Sequence, residues 1–119
     1  MFNSIIVQHF SDPSHQGELV DAVASLKLGN PVCGDKIDIG LGIGSNRVIE
    51  KARFRAWGCA TSVAMANIFC DFIEGKDLEE VNAMDEQNIG QLLGELEPSQ
   101  RHCLDMLREL FQQLKRVEA

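Results

Sequence analysis

Nothing in the 119 residues can supply a phenolic hydroxyl, because the chain contains no tyrosine. Its four cysteines include no Cys-x-x-Cys pair, which excludes the zinc-ribbon, thioredoxin and ferredoxin spacings. No segment reaches the roughly 20 consecutive apolar residues that a membrane-crossing helix requires. The N-terminus lacks a basic flank followed by an apolar run, so a cytoplasmic location is expected, with no membrane partner. Long basic runs are missing as well, and the formal net charge is -7, so the folded surface should repel nucleic acid and anionic lipid. No internal repeat, low-complexity run or linker divides the chain.

What is present is the composition of an ordinary globular protein, 45% apolar and 24% charged. A chain of this length is expected to form one domain, residues 1–119, with a core large enough to fold without staples. "FNSIIVQHF" (2–10) reads as a short amphipathic helix that stops at the turn formers "SDPSHQGE". "DAVASLKLG" (21–29) and "KIDIGLGI" (36–43) alternate apolar and polar residues as half-buried strands do, the second with Ile37, Ile39, Leu41 and Ile43 on one face. "RVIEKARFRAW" (47–57) is a third strand, in which Val48 and the later Ala52, Phe54 and Ala56 imply a register change near Glu50. Short connections favour an antiparallel meander.

From residue 60 the period changes. "ATSVAMANIFCDFIEG" (60–75) is apolar nearly all round and should be a buried helix ending at Gly75. "DLEEVNAM" and "DEQNIGQLLGEL" are short helices, each with an aspartate as N-cap. A final helix starts near Pro98 and carries Leu104, Leu107, Phe111 and Leu114 along one stripe. A sheet followed by helices is an α+β fold.

In a reducing compartment cysteines serve metal binding or catalysis more often than disulfides. Cys33 lies between two strands in "NPVCGDK", with Gly34 allowing close backbone and Asp35 adding a carboxylate. Cys59 lies in "WGCATS", where the third strand gives way to a helix whose N-terminus offers free N–H groups. Such places suit a thiolate. Cys103 follows His102 directly, and three uses of that pair are open: incidental neighbours, a nucleophile and its base, or two ligands of one metal. Adjacent helical residues project about 100° apart, which makes direct coupling of the pair awkward. Three thiolates and an imidazole are sufficient for zinc or an iron–sulfur cluster, and Asp35 would add a harder ligand. Cys70, beside Phe69 and Phe72, reads as a small buried hydrophobe.

The motifs "VCGD" around Cys33, "GCATSVA" around Cys59 and "HC" at 102–103 resemble the signatures of the NifU/IscU iron–sulfur cluster assembly scaffolds. The separations agree, 26 positions from Cys33 to Cys59 and 44 from Cys59 to Cys103, and "QHFSDPSHQGEL" is similar to the family's N-terminal segment. The resemblance implies a three-stranded antiparallel sheet packed against about five helices, with a metal site at one end. It implies a carrier rather than an enzyme: sulfur comes from a cysteine desulfurase and iron from an iron donor, a transient 2Fe-2S cluster forms, and acceptor apoproteins take it away. By the same resemblance Cys33, Cys59 and Cys103 are the thiolate positions, His102 and Asp35 the remaining ligands, and Cys103 the first sulfur acceptor. Zinc would fit the same ligands, and homodimerisation is left open.

Zinc-dependent relatives of this fold, which would make the chain a sulfurtransferase, carry an insertion between the second and third cysteines and a basic residue before the third. This chain has neither. Scaffolds served by a dedicated Hsp70-type chaperone carry Leu-Pro-Pro-Val-Lys before the His-Cys pair, whereas residues 96–100 here read LEPSQ, which puts that partner in doubt.

Overall fold

Three strands form one antiparallel sheet in the order β1 (Ala24–Asn30), β2 (Asp35–Ile43) and β3 (Ile49–Trp57), in a computed structural model that describes residues 3–30 and 35–117. Alternation decides which face is buried: Leu26, Ile37, Ile39, Leu41, Ala52 and Phe54 all point inward and are at most 2% exposed. Along β2–β3, Gly42 pairs with Lys51 and Ile43 with Ile49, so Glu50 is the extra residue of a bulge. The bulge flips the parity of β3, so that Ile49 and Ala52, three apart, share the core face. The register change expected near Glu50 is this bulge.

The first strand starts later than its pattern indicates. Val20 and Val23 are exposed at 89% and 66%, and although the Val23 amide still donates to the Leu41 carbonyl at 2.9 Å, the chain before it crosses the outer face of the sheet. There a Cβ on Gly40 would meet Leu19 and Ala22 at 3.2 and 3.3 Å, so the glycine makes room for the crossing segment. Both sheet edges are occupied. Gln113 accepts from the Lys27 amide and donates to its carbonyl at 3.1 and 2.8 Å, while His15 and Gly17 pair with both backbone groups of Phe54.

The helices cover the inner face. They are α1 (Ser4–Ser11), α2 (Ala60–Ile73), α3 (Leu78–Asn82), α4 (Glu86–Gln91) and α5 (Arg101–Lys115). Central to the layer, α2 buries ten of its fourteen residues. It ends before Gly75, whose positive φ of 91° turns the chain back toward Ile49. Asp77 and Asp85 cap α3 and α4 as expected, accepting from Glu80 and Asn88 at 2.7 and 2.8 Å.

The start of α5 is sharper than a proline-led helix: Pro98–Gln100 form a 3-10 turn closed by a reciprocal Glu97–Gln100 capping box, and the α-helix begins at Arg101. Its buried stripe is Cys103, Met106, Leu107, Leu110, Phe111 and Leu114, with Leu104 only half-buried on the flank. Phe111 packs edge-on against Phe69 of α2 with ring centres 5.0 Å apart, which docks α5 and fixes where its first turn stands.

Candidate metal centre

At one end of the sheet the start of β2, the end of β3 and the N-termini of α2 and α5 come together. Cys59 is the N-cap residue of α2: its backbone is extended and its carbonyl accepts from Val63 at 3.2 Å, but its side chain makes no capping bond. The sulfur is therefore free to face outward, and the residue is exposed. His102 and Cys103 occupy the first turn of α5. Ligand atoms of Cys59, His102 and Cys103 all lie within 4.8 Å of one another.

Asp35 joins this group from β2. Its carboxylate is 5% exposed and lies against Gly58, where the chain leaves β3 at φ 157°. A Cβ on Gly58 would overlap Oδ1 of Asp35 and stand 2.8 Å from its Cγ, so glycine is required for the carboxylate to sit here. Oδ2 of Asp35 accepts from the Ser62 hydroxyl at 3.0 Å and lies 3.4 Å from His102 Nε2. Cys33 falls outside the described residues. Cys70 is fully buried within α2, and burial, with Glu74 adding, pushes its thiol far up, in keeping with an inert core role.

His102 and Cys103 do approach, contrary to the expectation from their 100° offset: Nε2 lies 3.5 Å from Sγ. The imidazole is long enough to fold back over its neighbour's thiol. The contact is nevertheless no Ser–His–Asp relay, because the nitrogen that meets the sulfur also faces Asp35. A relay needs the base on one ring nitrogen and the orienting carboxylate on the other.

Cys103 is buried, and that burial pushes its thiol up to about 12, with the Ser62 hydroxyl opposing and the charges of Cys59 and Asp35 adding to the rise. Burial thus favours the protonated form of this thiol over the thiolate. An incoming cation would displace its proton. Two sulfurs, an imidazole and a nearby carboxylate suit iron or zinc, which accept mixed sulfur, nitrogen and oxygen ligands.

Ser62 escaped the sequence reading. It is fully buried in the first turn of α2, with its oxygen 3.4 Å from Cys59 Sγ and 3.8 Å from Cys103 Sγ. The signal for it was its position three residues after an N-terminal cysteine, where a side chain points back at the cap.

Residues 1–115 match the pattern of the NifU-like N terminal domain. The chain is 31% identical over 106 residues to the iron-sulfur cluster assembly scaffold protein IscU 1 of Archaeoglobus fulgidus, covering 89% of this chain and 69% of that protein. It is 30% identical over 105 residues to the IscU scaffold of Haemophilus influenzae, covering 86% and 82%. Among solved structures, a NifU-like protein (N-terminal) from Brucella abortus shares the fold with a TM-score of 0.63 at 15% identity, over 96% of this chain and 80% of that one.

Proposed function

Because the chain belongs to the NifU-like N-terminal domain family, we propose that it is a scaffold on which an iron–sulfur cluster is assembled and from which it is passed on. The observation that carries this reading is the convergence of Cys59, His102 and Cys103 within 4.8 Å, beside a buried carboxylate. The ligands are Cys59, His102 and Cys103, with Cys33 as the third thiolate and Asp35 as an oxygen donor. A mixed set of this kind holds iron less firmly than four thiolates, which suits a cargo that must leave.

The cargo is a 2Fe-2S cluster, and its sulfur comes from a cysteine desulfurase. Attack of a site thiolate on the outer sulfur of a donor persulfide forms a new S–S bond and releases the donor's cysteine as thiolate. Two electrons from an external reductant then convert that sulfur to sulfide. Cys103 is the candidate first acceptor, with the exposed Cys59 beside it. An iron donor and acceptor apoproteins complete the cycle; the chain itself turns over no substrate.

The test is anaerobic reconstitution with iron, cysteine and a cysteine desulfurase, followed by optical spectra and iron, sulfide and zinc analysis. A labile cluster of near-equal iron and sulfide that passes to an apo-ferredoxin is expected, lost in Cys33→Ala, Cys59→Ala and Cys103→Ala and kept in Cys70→Ala. A colourless protein that keeps one zinc and only relays persulfide would replace the scaffold with a sulfurtransferase.

A further inference from the structure

The cover on the outer edge of β3 stops one rung short of the metal centre. Gln113 takes both backbone groups of Lys27, so Leu26 and Leu28 turn theirs toward Ile39 and Ile37, their partners on β2. Phe54 and Ala56 stand opposite Ile39 and Ile37, and therefore direct their own N–H and C=O away from the sheet. His15 and Gly17 meet those of Phe54 at 3.0 and 2.8 Å. Those of Ala56 have no partner among the described residues.

The open rung lies in a cleft of about 340 Å³ between residues 16–18 and residues 55–57. On a chain of net charge -7 this place is bordered by cations: Lys36 and Arg55 stand over the Trp57 ring and make no ion pair among the described residues. Three residues beyond Ala56, Cys59 is exposed, and its sulfur is within 4.8 Å of that of Cys103. Three extended residues span about 10 Å, so a segment paired with Ala56 carries its next few side chains to the two cysteines.

We infer that the Ala56 rung is where the sulfur donor docks. The donor's cysteine-bearing segment adds to β3 as an extended strand, backbone to backbone with Ala56, and carboxylates on that segment meet Arg55 and Lys36. This docking mode rests on the scaffold reading for the identity of the donor and adds where its chain lies. Strand addition takes affinity from main-chain hydrogen bonds and selectivity from the flanking side chains. Self-pairing at the same rung would set Arg55 and Lys36 of two copies against each other, which opposes a second copy as the occupant.

The experiment follows labelled sulfur from a purified cysteine desulfurase to the chain. Ala56→Pro removes the outward N–H and no ladder bond, a change that sheet edges tolerate. Its transfer rate at sub-saturating desulfurase is expected to fall about three- to tenfold, the worth of one backbone hydrogen bond, and to recover at saturation. Cluster formation from free iron and sulfide is expected to match wild type. Amide exchange reads the same rung in the unaltered chain: the Ala56 amide should exchange rapidly in the free protein and slow when desulfurase is added. Exchange that desulfurase leaves unchanged, exchange that slows with the chain's own concentration alone, or a folded Ala56→Pro that accepts sulfur at the wild-type rate overturns the docking mode. Wild type that accepts sulfur with Ala56 protected, yet builds no cluster, sinks the scaffold reading alone. Cluster assembly by the desulfurase with that amide unprotected sinks the docking mode alone.

Discussion

Gly58 and Asp35 share a space that only one of them can fill: the carboxylate lies where a side chain on Gly58 would begin. Gly58→Ala must therefore push Asp35 away from Ser62 and His102 or deform the end of β3. The expected cost is about 1–3 kcal/mol, as for other overpacked sites. Thermal melting would register it, and metal titration would register the displaced carboxylate as an altered affinity. An alanine variant with unchanged melting and binding would mean that the carboxylate does not rest on Gly58.

The Cys103 thiol gives the metal-free protein an alkaline weakness. Burial raises it from 9.0 to about 12 in the folded chain, so the unfolded chain loses that proton first. Its contribution to stability is complete below pH 9 and is lost as pH rises from about 9 toward about 12. Burial shifts Cys70 in the same direction and steepens the fall. Denaturant midpoints measured from pH 8 to 10.5 should decline, and less so for Cys103→Ser. The same protons must leave when metal binds, so calorimetry with Zn2+ in buffers of differing ionisation enthalpy should detect proton release.

Acid acts at another place. Glu74, at the end of α2, accepts from the Ala52 amide at 2.9 Å and from Arg53 at 2.7 Å, and it stands 3.4 Å from His15. Burial alone would raise its carboxyl, but these donors and the positive neighbours outweigh burial and hold it below its ordinary 4.5. The stability it contributes is present above that value and fades as pH falls through the lowered one. Glu74→Gln should cost about 1–2 kcal/mol at neutral pH and flatten the acid limb of the unfolding curve.

Trp57 is the sole tryptophan and stands two residues from Cys59, 43% exposed, with Lys36 and Arg55 at 5.0 and 5.1 Å from its ring centre. The two cations hold the ring at the edge of the site. Fluorescence excited at the tryptophan band should be quenched as Co2+ or a cluster enters and return on chelation. A signal indifferent to loading would put the metal elsewhere.

The residues that declared themselves in sequence are those whose neighbours repeat a period. Ile37, Ile39 and Leu41 announce a strand because side chains alternate, whereas the Glu50 bulge is marked by the odd step from Ile49 to Ala52, both on the core face. Ala22 misleads because it continues the alternation of Ala24 and Leu26 ahead of the strand, where the chain crosses over Gly40. Met106 stayed hidden in α5 because a stripe of leucines and Phe111 drew the face slightly to one side, toward Leu104. Cys59, His102, Cys103 and Asp35 were legible from cysteines at element boundaries and from the family motifs. Ser62 was not, since a serine in a first helical turn is common and its meaning depends on Asp35, 27 positions away.

That distance has a consequence for how the protein is made. Asp35, Cys59 and the His102–Cys103 pair come from three separate parts of the chain, and joining them before folding would close loops of tens of residues against their entropy. An emerging nascent chain that has exposed Asp35 and Cys59 still lacks the other donors until the sequence through α5 leaves the ribosome. These donors are therefore brought together only once the sheet and α5 have met, and any cation they hold has to wait for that docking.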